Sequence, residues 1–232
     1  MLSTLQYHAW RRLRAAYYAF GLARMPFGGA LARSVSAWET AQGFGDSPKE
    51  KSTWDAEYGD GRWNYIGQLH ENSRYWAIIG YMDAFRRDGE FLDVGCGDGV
   101  LFKRFRALGY QRYVGIDISD VAIEKLAPHQ DDRTIFAQAD GDGHEPEGRF
   151  DVVVFNESLY YLRDPIRSLE RYAQSLKPGG CIIVSTYTAS RRSRAVLREA
   201  KRAFEVVDEA QTTQGRNSWL CTVFKKTVAI AT

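Results

Sequence analysis

The sequence predicts an α/β domain organised on a parallel sheet, and three stretches carry that expectation. Phe91-Leu92-Asp93-Val94-Gly95-Cys96-Gly97-Asp98-Gly99 is an apolar run that ends in an acid and passes into glycines at alternate positions. Val100 to Phe105 follows with apolar residues at helical spacing, so the whole reads as strand, tight loop and helix. Tyr113-Val114-Gly115-Ile116-Asp117-Ile118 is a second Val- and Ile-rich run closing on an acid, one strand-helix-strand unit later. Phe150 to Asn156 and Cys181 to Ser185 are further Val- and Ile-rich runs, closing on uncharged polar residues. Glycines in the first loop accept positive φ and admit a ligand against bare backbone. Tight packing alone would also produce such a turn.

The chain has 232 residues, 44% hydrophobic and 26% charged, which suits one α/β domain with appendages. A net charge of +2 is too balanced to argue for a nucleic-acid partner. Cys96, Cys181 and Cys221 form no Cys-x-x-Cys pair, so they indicate neither a disulfide framework nor a zinc site, and they read as packing residues in a reducing compartment. The four histidines, His8, His70, His129 and His144, form no close pair, and no metal site is expected. No apolar run reaches the roughly 18 residues of a membrane span, and no signal-peptide pattern is seen; a cytoplasmic protein is expected.

Spacing narrows the ligand. A dinucleotide fingerprint starting at Gly95 and Gly97 would need a small residue at position 100, which is Val100, while the third glycine comes one residue early at Gly99. The pattern Asp93-x-Gly95-x-Gly97-x-Gly99 resembles motif I of the class I S-adenosylmethionine (SAM) dependent methyltransferases. Asp117, Ile135 to Gly141, Phe150 to Asn156 and Leu176-Lys177-Pro178-Gly179-Gly180 follow in an order similar to the later motifs of that family. The resemblance implies a Rossmann-like seven-stranded sheet in the order 3-2-1-4-5-7-6, with strand 7 antiparallel. It implies SAM as cofactor, with Asp93, Gly95, Cys96, Gly97, Asp117, Ile118, Asp140, Gly141 and Asn156 around it. Asp117, at the carboxyl end of its strand, is suited to accept hydrogen bonds from both ribose hydroxyls.

Taken in order, residues 1 to 86 read as a helical extension and lid, and 87 to 232 as the SAM-binding domain. The first 45 residues carry Arg11, Arg12, Arg14, Arg24 and Arg33 against the single acid Glu39, with Leu2, Leu5, Leu13 and Tyr17 close to one helical face. Such a helix suits either packing on the main domain or peripheral contact with an anionic membrane. A second short helix is expected over 31 to 41. Trp54, Tyr58 and Trp63 are expected in a glycine-containing loop, as stacking partners of cofactor or acceptor or as hydrophobic anchors, and a helical rhythm follows Gly61 with a break near Glu71 to Ser73. Ser119 should cap a helix from Asp120 to Leu126, and Asp164-Pro165 should open another. Two strand-like runs, Phe204 to Val207 and Trp219 to Phe224, suit a closing hairpin.

Methyl transfer is an in-line displacement in which a hydroxyl acceptor benefits from a general base and an amine need only be neutral. Glu157 and His144 are the candidate bases and Tyr160 an orienting group. Trp54, Trp63, Tyr161, Arg191 and Arg192 are the candidate acceptor contacts, the arginines as a grip on phosphate or carboxylate. The octet Phe155 to Leu162 looks similar to that of bacterial methyltransferases acting on sugars and amino sugars, so the expected partner is a small-molecule acceptor such as a sugar, glycolipid precursor or secondary metabolite. Nucleic-acid methylation is disfavoured because Asn156-Glu157-Ser158-Leu159 stands where amino-methylating DNA enzymes carry Asn/Asp-Pro-Pro-aromatic. A SAM-binding scaffold without catalysis is the other alternative.

Overall fold

A computed structural model describes residues 48–215 and 217–226. The expected helices within 1 to 41, and with them the basic segment, lie outside the described residues. Seven strands form one sheet in the order β3-β2-β1-β4-β5-β7-β6: β1 is Glu90–Val94, β2 Arg112–Asp117, β3 Thr134–Gln138, β4 Phe150–Asn156, β5 Leu176–Tyr187, β6 Glu205–Gln214 and β7 Asn217–Lys225. All pairings are parallel except β5 with β7 and β6 with β7. This is the sheet order expected from the sequence.

Period-two alternation places the strand side chains in two cores. Phe91 and Tyr113 point to one face, under α2 (Asn72–Arg86) and α3 (Val100–Phe105), where Tyr75, Ile78, Met82, Phe102 and Phe105 are buried. Leu92 and Val153 point to the other, under α5 (Pro165–Ala173) and α6 (Arg191–Ala203), with Leu169, Tyr172, Val196 and Leu197. Register aligns Val94 with Ile116 and Asp93 with Val154, so the carboxyl ends of β1, β2 and β4 reach one edge together. There the strand order reverses between β1 and β4, opening the crevice that doubly wound sheets offer to ligands.

Local signals place the helices. Ser119 Oγ accepts from Ala122 N at the start of α4 (Asp120–Glu124), and Asp164 accepts from Arg167 N with Pro165 in the first turn of α5. Pro128 falls in a separate 3-10 turn, Ala127–His129, so α4 ends at Glu124 rather than Leu126. Residues 51–59 form the helix α1 (Lys51–Gly59), not a loop; Trp54 and Tyr58 are thereby one turn apart on the same face. Two 3-10 turns, Asn64–Gly67 and Leu69–Glu71, precede α2. Leu176 pairs with Phe150 across a bulge, which extends β5 well before Cys181. The helices α1 and α2 belong to the same compact unit as the sheet, α2 packing on β4, β5, β6 and β7.

Phe102 meets Tyr110, Tyr113 and Phe136 at ring-centroid distances of 6.1, 5.0 and 5.1 Å. Phe102→Ala should therefore destabilise the fold by about 3–5 kcal/mol in urea denaturation, and an unchanged midpoint would contradict this packing.

Candidate active site

The corner after β1 is shaped by close approach. Gly95 and Gly97 have φ of 76° and 57°. A Cβ on Gly95 would lie 2.5 Å from Ser158 Cβ, and one on Gly97 would lie 2.6 Å from the Tyr58 hydroxyl. Both positions therefore exclude a side chain on steric as well as conformational grounds. Gly95 N and Cys96 N donate to Ile116 O at 2.8 and 2.9 Å, tying the corner to β2. From the end of β2, Asp117 Oδ2 accepts from Gly97 N at 2.8 Å and Oδ1 from Ser119 N at 2.9 Å. Burial pushes the Asp117 pKa up to about 6, against the pull of those two N–H groups. An ionised carboxylate has about four acceptor sites, so two more donors can be taken.

The crevice opens from this corner. Gly95, Cys96, Gly97, Asp117, Ile118, Asp140 and Gly141 line it, as do Asn156 and Glu157 at the end of β4. Tyr58, Trp54 and Trp63 close it from α1 and the following turn, opposite Tyr161. Ring centroids of Trp54 and Tyr161 stand 5.0 Å apart edge to face, and those of Trp54 and Trp63 5.5 Å apart. Two further bonds fasten α1 over the crevice: Ser119 Oγ donates to Asp55 at 2.7 Å, and Lys125 Nζ to Tyr58 O at 2.9 Å.

Asp93 is placed differently from the expectation of a cofactor contact. It stands behind the corner, outside the crevice lining, with Oδ2 accepting from the Tyr113 hydroxyl at 2.7 Å. Burial pushes its pKa up to about 7. His144, Arg191 and Arg192 do not reach the crevice lining. His144 is half-buried in the loop after Asp140, where burial and then Arg171 lower its pKa. Arg192 is turned to the back of the loop that carries Tyr161: Nε donates to Tyr160 O at 2.7 Å and Nη2 to Leu162 O at 2.9 Å. Arg191 is exposed at the start of α6. The two arginines thus support or flank the loop that carries Tyr161 and do not form an anion grip in the crevice.

Glu157 lines the crevice, but three donors engage its carboxylate. Ser185 Oγ donates to Oε1 at 2.6 Å, while the Tyr160 hydroxyl and Tyr187 N donate to Oε2 at 2.8 and 3.1 Å. Burial raises its pKa and the nearby Arg74 guanidinium opposes that rise. Its backbone has φ 60°, a left-handed conformation costly for a residue with a Cβ and held here by those cross-strand bonds. In this arrangement Glu157 braces the end of β4 against β5, and Tyr160 is one of the donors that fix it.

Sequence reasoning passed over Arg74, a buried crevice residue on α2. Its guanidinium donates to Glu71 Oε2 at 3.1 Å, to Asn156 Oδ1 and to the Tyr75 hydroxyl at 3.0 Å. These bonds take three of its five N–H groups. A signal existed: Arg74 precedes Ile78 by one turn on the apolar face of α2, where a solvated arginine has no place.

A model of the methyltransferase domain family matches residues 53–222, and the chain belongs to that family. Over 108 residues it is 36% identical to the ubiquinone biosynthesis O-methyltransferase of Bradyrhizobium sp. (strain ORS 278), covering 45% of this chain and 42% of the relative. Over 107 residues it is 36% identical to the ribosomal protein L11 methyltransferase of Neisseria gonorrhoeae (strain ATCC 700825 / FA 1090), covering 45% and 35%. The chain thus spans less than half the length of these two relatives. In structure it is similar to the N-methyltransferase NodS from Bradyrhizobium japonicum WM9 in complex with S-adenosylhomocysteine (SAH), with TM-score 0.66, 20% identity, and coverage of 77% of this chain and 98% of that one. The 1,6-didemethyltoxoflavin-N1-methyltransferase of Burkholderia thailandensis gives TM-score 0.61 at 20% identity, covering 76% and 87%. At that identity the shared property is the fold. SAM is the cofactor of the family, and the residues fit it: a corner with glycine on both sides of Cys96 for its methionine part, and in Asp117 a buried carboxylate with spare acceptor capacity for a ribose.

Gly97→Ala should weaken SAH binding at least tenfold in calorimetry, since both the left-handed φ (about 1–2 kcal/mol) and the clash with Tyr58 oppose the native corner. Gly97→Ala combined with Tyr58→Phe should recover part of the loss, and no recovery would remove the clash from the explanation. SAH affinity should hold above pH 6 and fall as pH drops through about 6, where Asp117 takes a proton and loses acceptor capacity. A profile that Asp117→Asn leaves unchanged in shape would contradict that assignment.

Proposed function

We propose that this protein transfers the methyl group of SAM to a nitrogen or oxygen of a small-molecule acceptor. The observation that carries the reading is the continuity of one crevice, from the Gly95–Gly97 corner and Asp117 to the space walled by Trp54, Trp63, Tyr161 and Asn156. SAM, when bound, supplies a methyl group activated on a sulfonium. The chain's own contribution is to hold and orient. Asp117 would bind the ribose hydroxyls, Gly95 to Gly97 would admit the methionine backbone, and Asp140 and Gly141 flank the position expected for the adenine. The two N–H groups left on Arg74 suit the methionine carboxylate, a buried guanidinium being the strongest carboxylate partner a side chain offers.

Catalysis then rests on near-attack geometry against the aromatic wall, which is worth up to about 7–11 kcal/mol where alignment is best. With Glu157 committed to three donors, the arrangement favours an amine, which needs only to be neutral, over an alkyl hydroxyl that must lose a tightly held proton. A sugar, glycolipid precursor or secondary metabolite bearing such a nitrogen fits this reading. The cysteines are all unpaired and buried, which suits a cytoplasmic enzyme, and no helix among the described residues is long and apolar enough to cross a membrane. The arginines of the first 45 residues suit either packing of that segment on the domain or peripheral contact with an anionic membrane.

The direct test is transfer of radiolabelled methyl from SAM to a panel of amino sugars, nucleotide sugars, lipid-linked glycans and small amines. Label should enter one acceptor class; SAM bound with no acceptor labelled would favour a non-catalytic scaffold. Arg74→Met should weaken SAH binding at least tenfold by calorimetry. Glu157→Gln separates brace from base: a brace predicts lower kcat with the pH profile unchanged in shape, whereas loss of the acidic limb would restore the base.

A further inference from the structure

Lys49 stands outside any helix or strand, just before α1, and its side chain lines the crevice. Its Nζ lies 4.6 Å from the centre of the Trp54 ring, 5.5 Å from that of Trp63 and 5.8 Å from that of Tyr161. All three fall within the roughly 6 Å over which a cation is attracted to an aromatic face. Glu57 supplies a fourth wall, its oxygens 2.9 and 3.1 Å from the ammonium. The Lys49 side chain keeps 6% of its exposure and that of Glu57 1%. Four residues from three separate segments thus make a box around one cation.

Two features suit this box to an exchangeable occupant. Glu57 also accepts from Arg62 Nη1 at 2.8 Å and from Trp63 Nε1 at 3.1 Å, so its charge stays compensated when the lysine leaves. The rings hold one another, and Tyr161 is fixed from behind through Arg192, so the walls do not depend on Lys49. A lysine on a flexible stem beside the box acts as a tethered ligand at an effective concentration on the order of millimolar.

We propose that this box is the seat of a cationic alkylammonium group on the acceptor, which displaces Lys49 when it binds. The inference rests on the methyltransferase reading above and narrows its acceptor to molecules with a protonated or quaternary nitrogen. Three ring faces and a compensated carboxylate favour such a group because a ring needs no hydrogen-bond donor from it. A nitrogen about to receive a methyl must be neutral, so the seated cation is a second nitrogen, and it orients the molecule.

Tetramethylammonium chloride serves as the probe, titrated against sodium chloride at matched ionic strength and followed by tryptophan fluorescence and calorimetry. Lys49→Ala should bind tetramethylammonium at least tenfold more tightly than the unaltered chain, and adding Trp54→Leu should abolish the gain. Equal affinity in Lys49→Ala and the unaltered chain would overturn the proposal. If Lys49→Ala melts well below the unaltered chain, Lys49→Gln carries the same expectation. SAH affinity is measured on the same samples. Retained SAH binding without tetramethylammonium binding sinks the seat alone, whereas loss of SAH binding by the unaltered chain sinks the methyltransferase reading. Tetramethylammonium binding blocked by saturating SAH would put the box in the cofactor's footprint and overturn its acceptor role.

Discussion

Asp117 accepts one hydrogen bond from Gly97, in the corner after the first strand, and another from Ser119, at the cap of the helix that follows its own strand. A single buried carboxylate therefore fixes two loops that meet at the carboxyl edge of the sheet. Its burial carries a cost, visible in a pKa pushed up to about 6. Ser119 passes the connection on through its hydroxyl to Asp55, so the helix over the crevice is tied to the same point. With glycine at positions 95 and 97, one wall of the crevice is made largely of backbone and the opposite wall of aromatic rings.

Charge at the far end of the crevice is arranged by pairing. Arg74 joins α2 to Asn156 at the end of β4, and Glu157 joins the same strand end to Ser185 and Tyr187 on β5. Both ionic groups are occupied with holding strand ends and a 3-10 turn in fixed relation. Such a site contributes to rate by geometry, and its selectivity would lie in the shape and electrostatics of the aromatic wall.

Much of the architecture was legible because its causes are local. Alternating burial, the Ser119 and Asp164 caps and the glycine corner are written in spacings of one to four residues, whereas the strand order was implied by the resemblance of the motif series to the class I SAM-dependent methyltransferases. Residues whose role is tertiary were not legible in that way. The cation of Lys49 is matched to rings from α1, a turn and the loop after β4, and nothing local in the sequence links them. Arg192 looked like an anion grip because it follows the fifth strand at the crevice end of the sheet; here the carbonyls of Tyr160 and Leu162 claim it. The stretch around Trp54 read as a loop because Gly59 and Gly61 bracket its end, yet burial of Glu57 and Tyr58 against the domain favours helix over local propensity.

The claim on which the rest depends is that the Gly95–Gly97 corner and Asp117 hold one ligand between them. A crystal structure of the full chain with SAH tests it most directly. The account predicts ribose hydroxyls on the Asp117 carboxylate and the homocysteine chain against Gly95 and Gly97. SAH bound elsewhere, or bound in the crevice with Asp117 directed away from its ribose, would contradict it.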